Sequence, residues 1–238
     1  MSEWNQYGPD YDHPEYPGRP KTYLIATTPR SGSHYLGHLL TSTGLLGTPM
    51  EYFHPKQIEN WKNRFGCEHV AEVLPHLFRR RTSATGWFGV KAHWPQFEPV
   101  CAQSRVMELL DFRKHIRIYR EDRVAQAVSL VMAYQTNAWL SFHRPAASPC
   151  YDFDAIKREM ENIEGELAKW DDYFRLREIE PIRVHYEELS ANPERVVSAI
   201  LSAFGLDAYP RRADFKFIPD RQSTDLNREW KDRFLREV

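Results

Sequence analysis

Residues 22–44, TYLIATTPRSGSHYLGHLLTSTG, narrow the fold more than any other stretch. An apolar, β-branched run over 22–28 halts at Pro29, and a helix fits 34–43, with Gly44 in the C-cap role. A strand that turns straight into a helix does not return as a hairpin; it calls for a crossover and a parallel neighbour. The alternation repeats along the chain. GWFGVK at 86–91 and HIRIY at 115–119 read as strands, and a helical pattern begins near Asp122. Over 153–178 the apolar residues Ile156, Met160, Ile163, Leu167, Trp170 and Phe174 step by four, three, four, three and four, a long amphipathic helix. Pro181 precedes the strand IRVHY at 182–186, and Asn192-Pro193-Glu194 opens a helix to Phe204 that Gly205 stops. The spacing predicts an α/β single domain: a mostly parallel central sheet flanked by helices, with a P-loop-like phosphate-binding turn after the first strand.

Residues 1–21 hold four of the sixteen prolines and no apolar period, so a partly ordered tail is expected there, with the domain over 22–238. Lys and Arg total 32 against 33 acids, a net charge of −1, which argues against bulk binding of nucleic acid but leaves room for one basic pocket. No apolar run approaches the roughly 18 residues of a membrane span, and the N-terminus lacks the pattern of a secretory signal. Cys67, Cys101 and Cys150 are scattered and form no CxxC. A cytoplasmic, reducing setting fits such cysteine usage better than a disulfide framework.

The turn itself carries the chemistry. Ligands of open parallel sheets settle at the carboxyl ends of strands, beside the helix that follows. There Gly32 lets the backbone fold back closely, Ser31 and Ser33 offer hydroxyls, the helix start offers N–H groups, and Arg30 adds a permanent charge. An ordinary serine-capped turn would use the same residues. The GxxxxGK[ST] loop is not present, so no lysine serves terminal phosphates and no hydroxyl is placed for Mg²⁺. The turn is suited to an anion held without a metal.

PRSGSHYLG after the first strand, then YREDRVAQAVS at 119–129, resembles the sulfotransferases that use 3′-phosphoadenosine 5′-phosphosulfate (PAPS), and within them the bacterial carbohydrate branch typified by trehalose 2-sulfotransferase. GTPMEYF at 47–53, VKAHW at 90–94, QTNAW at 135–139, PIRVHYEEL at 181–189 and RQSTDLNREWKDRF at 221–234 follow in that family's order. The resemblance implies that Arg30, Ser31, Gly32 and Ser33 hold the 5′-phosphosulfate end of PAPS, with His34 standing where the family commonly has a hydroxyl residue. It implies that Arg120 and Ser129 bind the 3′-phosphate, that Tyr186 contacts adenine, and that Arg221 closes over the nucleotide. Read alone, Tyr186 is equally a core aromatic and His34 a solvent-facing helix residue.

Glu51, within GTPMEYF, matches the family's catalytic base; in isolation it reads as a solvated loop glutamate. An alcohol acceptor needs such a base as its oxygen attacks sulfur. The resemblance thus implies in-line transfer of a sulfuryl group to a hydroxyl of a carbohydrate or glycolipid, aided by Arg30, with Lys91 and His93 near the acceptor, no metal, and pairing into a homodimer open to the chain. Three rivals compete. His34 and His38 share a helix face, but Tyr35 stands where a zinc protease motif needs Glu, and no third ligand is evident. A metal-dependent phosphoryl-transfer enzyme would need carboxylates for Mg²⁺, and only Glu121-Asp122 lies near a strand end. A non-catalytic nucleotide-binding protein would have no use for Glu51. The run Arg79-Arg80-Arg81 is expected as a solvated helix end.

Overall fold

The structure is a computed structural model that describes residues 7–139, 146–207 and 224–238. Four strands, β1 (Lys21–Thr27), β2 (Trp87–His93), β3 (Phe112–Tyr119) and β4 (Ile182–His185), pair in the order β2-β1-β3-β4, every pair parallel. Ten α-helices and one 3-10 turn (Pro9–Tyr11) accompany them among the described residues: α1 (Ser33–Ser42), α2 (Pro55–Phe65), α3 (Val70–Arg81), α4 (Trp94–Cys101), α5 (Ser104–Leu110), α6 (Arg123–Thr136), α7 (Phe153–Leu176), α8 (Tyr186–Ala191), α9 (Pro193–Ala203) and α10 (Asp225–Glu237). The α/β class, the parallel sheet and the flanking helices are as the alternation of strands and helices requires.

Side-chain alternation along β1 divides the core into two layers. Leu24 and Ala26 pack with residues of α3, α4 and α7, whereas Tyr23 and Ile25 pack with α1 and α9. On β3, Ile116 and Ile118 face the α1–α9 side. Their polar neighbours His115 and Arg117 are nonetheless buried: His115 lies among Phe112, Tyr173 and Phe174, and Arg117 pairs with Asp171 of α7. The predicted four-three stepping of the long helix is its buried stripe, Ile156, Ile163, Leu167, Trp170 and Phe174, with Met160 only partly buried. Asn192 accepts a hydrogen bond from the Arg195 amide and acts as the expected N-cap, and the structure adds a second cap: Asp122, near the expected helix start, accepts from the Ala125 amide.

Two expectations change. From Tyr7 onward the expected tail lies against the body: the amides of His13 and Tyr16 donate to the carbonyls of Arg80 and Arg79, at 2.6 and 2.9 Å. The Arg79-Arg80-Arg81 run does end a helix, α3, but Arg81 is fully buried rather than solvated. Its guanidinium meets Asp12 at 2.9 Å, donates to the Gly8 carbonyl and lies over the Trp61 ring. Asp12 supplies the countercharge that lets an arginine be buried there.

Candidate active site

The β1–α1 turn is held from three sides. Trp170 of α7 donates from its indole nitrogen to the Thr27 carbonyl at 3.0 Å, closing the end of β1. Gln126 of α6, fully buried, donates to the Thr28 hydroxyl and the Pro29 carbonyl. Ser31 is also buried, and its hydroxyl is 2.6 Å from that of Thr27. Its side chain is therefore spent on the strand end, and what it presents to the turn is its backbone. Arg30 and Gly32 both have left-handed backbones, φ 60° and 88°, with Ser31 between them in the ordinary region. Such alternation gathers successive N–H groups toward one concave side. Gly32 caps α1 without a side chain, and a Cβ built there would stand 2.4 Å from the Tyr186 ring. Only glycine fits both the φ and that ring.

Tyr186 begins α8 just past the end of β4, and the Arg120 guanidinium, just past the end of β3, lies 4.8 Å from its ring centroid. Arg30 donates from Nε to the Ser129 hydroxyl at 2.9 Å and from Nη1 to the Trp139 carbonyl. Ser129, one turn beyond Gln126 on α6, thus reaches the turn directly, which its position inside a predicted helix did not reveal. Burial, and then the nearby Arg120 charge, lower the Arg30 pKa to about 10. It stays cationic near neutrality, with Arg120 a like charge close enough to act on it.

The strap carrying Glu51 runs along the outer edge of β2. Met50 forms a parallel bridge with Val90, and its carbonyl accepts from the Lys91 amide at 2.9 Å. Glu51 Oε1 lies 2.8 Å from Lys91 Nζ and 3.5 Å from His93 Nε2, while Oε2 accepts from Gln96 Nε2 at 2.9 Å. Burial pushes toward the neutral acid, but Lys91 and then His93 outweigh it and hold the carboxyl well below its usual range. Glu51 is a paired carboxylate, not a solvated one. Lys91 and His93, expected near the acceptor, are brought onto this same carboxylate.

His34, in the first turn of α1, links the two halves. Its Nε2 is 3.0 Å from that of His38, and burial first, then the Lys91 charge, keep the ring neutral near pH 7, with Glu51 opposing and Arg30 adding to the effect. The His34–His38 pair is a hydrogen-bonded dyad, and among the described residues no group of three or more His, Cys, Asp or Glu is placed to hold a metal. Asp122 pairs with Lys231 at 2.6 Å, and Glu121 with His185 at 2.7 Å. Arg221 lies outside the described residues. The sequence reading passed over Gln96 and Gln126, whose contacts form only when α4 and α6 dock. It also passed over Glu166 of α7, whose carboxyl burial pushes to higher pKa, with His93 the first opposing charge.

A family model described as Stf0 sulphotransferase matches residues 22–96 and 95–237. Two curated relatives, trehalose 2-sulfotransferases of Mycobacterium tuberculosis and Mycolicibacterium smegmatis, are each 28% identical to the chain over 92% of its length and 96% of theirs. Among solved structures, a sulfotransferase from Alicyclobacillus acidocaldarius superposes with a TM-score of 0.52 at 16% identity, covering 92% of each chain. The sulfotransferase domain of the Synechococcus PCC 7002 olefin synthase gives 0.50 at 17% identity, covering all of this chain and 92% of that one. These two likenesses concern the fold.

Proposed function

Because the chain belongs to the Stf0 sulphotransferase family, we propose that it moves the sulfuryl group of PAPS to a hydroxyl of a carbohydrate, with Glu51 as the base. The observation that carries this reading is that the buried His34 ring, in the first turn of α1, feels the charges of both the Glu51–Lys91 pair and Arg30. A base and an anion-binding turn therefore flank one helix start. The fit to PAPS rests on the left-handed backbone at Arg30 and Gly32, which turns successive N–H groups to one side, and on the Arg30 and Arg120 charges. The turn amides and Arg30 would hold the 5′-phosphosulfate. Arg120 and Ser129 would take the 3′-phosphate, and Tyr186, flat beside Arg120, the base. PAPS supplies a sulfuryl group on a phosphate leaving group.

The acceptor oxygen attacks sulfur in line with the leaving phosphate while its proton passes to Glu51. Charge grows on the sulfuryl and phosphate oxygens, and Arg30 and the turn N–H groups would stabilise it there. Lys91 serves two ends: it keeps Glu51 ionised and adds positive charge beside the reacting centre. The curated relatives are named for trehalose, so a sugar acceptor is favoured over a glycolipid. The enzyme is placed in the cytoplasm, acting without nucleic acid and without a metal.

The test is transfer from ³⁵S-labelled PAPS to a panel containing trehalose, other sugars and glycolipids, with and without excess EDTA. Label on a sugar, unchanged by EDTA, supports the reading. Loss of transfer in EDTA that Mg²⁺ restores would revive the phosphoryl-transfer alternative.

A further inference from the structure

The two oxygens of Glu51 are not equivalent. Oε1 faces the Lys91 ammonium, with Nζ at 2.8 Å, and the His93 ring at 3.5 Å, whereas Oε2 has the neutral amide of Gln96 at 2.9 Å. A carboxylate oxygen offers about two lone-pair sites. Lys91 engages Oε1 and the His93 ring approaches it, while among the described residues Gln96 engages one site on Oε2 and leaves the other. Oε2 is also the oxygen less neutralised by direct ion pairing.

Gln96 is itself fixed. It lies in the first turn of α4, and its Oε1 accepts from the His93 amide at 3.2 Å. One amide group therefore joins the helix start to the carboxylate, and its own rotation is restrained from both ends. A base displaced by even a fraction of an ångström loses rate without losing affinity.

We propose that Gln96 is a positioning residue that turns Glu51 so that Oε2 receives the proton of the acceptor hydroxyl. The inference rests on the reading of Glu51 as the base. In the step, the acceptor O–H bond breaks, its proton joins Oε2, and the oxygen's electron pair forms the new bond to sulfur as the sulfur–oxygen bond to the leaving phosphate opens.

Two substitutions separate positioning from helix capping. Gln96→Glu keeps the shape and an oxygen that can still accept from the His93 amide, but it loses the N–H donor and sets a second carboxylate against Glu51. Gln96→Ala loses both roles. Positioning predicts that Gln96→Glu is the more harmful, with kcat on trehalose down on the order of 30-fold or more, because two adjacent carboxylates resist joint ionisation. Trehalose KM and affinity for adenosine 3′,5′-bisphosphate should stay within about twofold. A purely structural cap predicts the reverse order.

A second readout needs no acceptor. With ¹³C-labelled glutamate carboxyls, the signal missing from Glu51→Gln identifies Glu51, and its titration should move to higher pH in Gln96→Glu. Retention of kcat within threefold, or an unmoved Glu51 titration, would overturn the proposal. Near-wild-type turnover of Glu51→Gln would instead remove Glu51 as the base, and absence of transfer to every acceptor by the unaltered protein would remove the sulfotransferase reading.

Discussion

Glu51 is held as an anion by its neighbours, and this sets what its substitution should do. Glu51→Gln keeps the shape but cannot take a proton, so transfer should fall roughly 10²–10⁴-fold while bisphosphate affinity stays nearly constant. Since the folded pKa lies well below the ordinary carboxylate value, the acid limb of kcat/KM should also lie below that range. Lys91 is the first of the charges that overcome burial, so Lys91→Met should move this limb to higher pH; a pH profile of the two proteins checks it. Arg120 makes a separate prediction. If it meets the 3′-phosphate, the intact protein should prefer adenosine 3′,5′-bisphosphate to AMP. Arg120→Ala should erase about 1.5–3 kcal/mol of that preference, the worth of a charged hydrogen bond. Titration calorimetry with both nucleotides gives the answer, and equal affinities in the intact protein would remove the 3′-phosphate assignment.

At the scale of elements, the strap carrying Glu51 depends on chain far from it in sequence. Thr48, three residues before Glu51, donates its amide to the Arg81 carbonyl at 3.1 Å, and its hydroxyl lies 3.1 Å from His13 Nε2. The N-terminal arm, the end of α3 and the strap are thereby one unit, locked by buried Arg81 and its Asp12 partner. Arg81→Met removes the charge but keeps the stem on Trp61. Asp12 would retain Arg64, at 2.6 Å, so the cost should sit at the low end for a broken buried pair, about 3 kcal/mol. Glu15→Ala, which breaks only the exposed contact with Arg79, should cost less than about 1 kcal/mol. Urea denaturation of both variants measures the difference, and turnover of Arg81→Met should fall as the strap loosens.

Across the whole molecule, buried His38 and His115 and half-buried His13 have pKa values lowered to about 4, desolvation being the main cause in all three. In the unfolded chain a histidine titrates near about 6.5. Between these values the unfolded state binds more protons, so stability rises with pH there. The contribution is complete above about 6.5 and is lost as pH falls through about 4. The melting temperature should therefore drop steadily over that window, well before most carboxylates are protonated. His13→Gln, which can still hydrogen-bond Thr48 but does not titrate, should flatten part of the slope in thermal melts at pH 7 and pH 4.5. An unchanged slope would mean that His13 is not among the groups responsible.

Local chemistry was enough for the sequence to determine the β1–α1 turn, the long α7 stripe, the Asn192 cap and the parallel class, because each depends on residues a few positions apart. The helices α2 to α5, α8 and α10 were not legible in that way. α2 buries only Trp61, while α3 and α4 carry internal prolines, Pro75 and Pro99, so their helicity comes from packing rather than from periodicity. The site divides along the same line. Arg30, Gly32, Glu51 and Arg120 could be named from the order of short motifs. That Ser31 turns its hydroxyl inward, that Ser129 meets Arg30 across 99 positions, and that Lys91, His93 and Gln96 converge on Glu51 were decided by tertiary structure. Sequence spacing does not encode which side chains meet when β2, α4 and α6 close on the turn; that is settled by the parallel register of the sheet and by burial against α7.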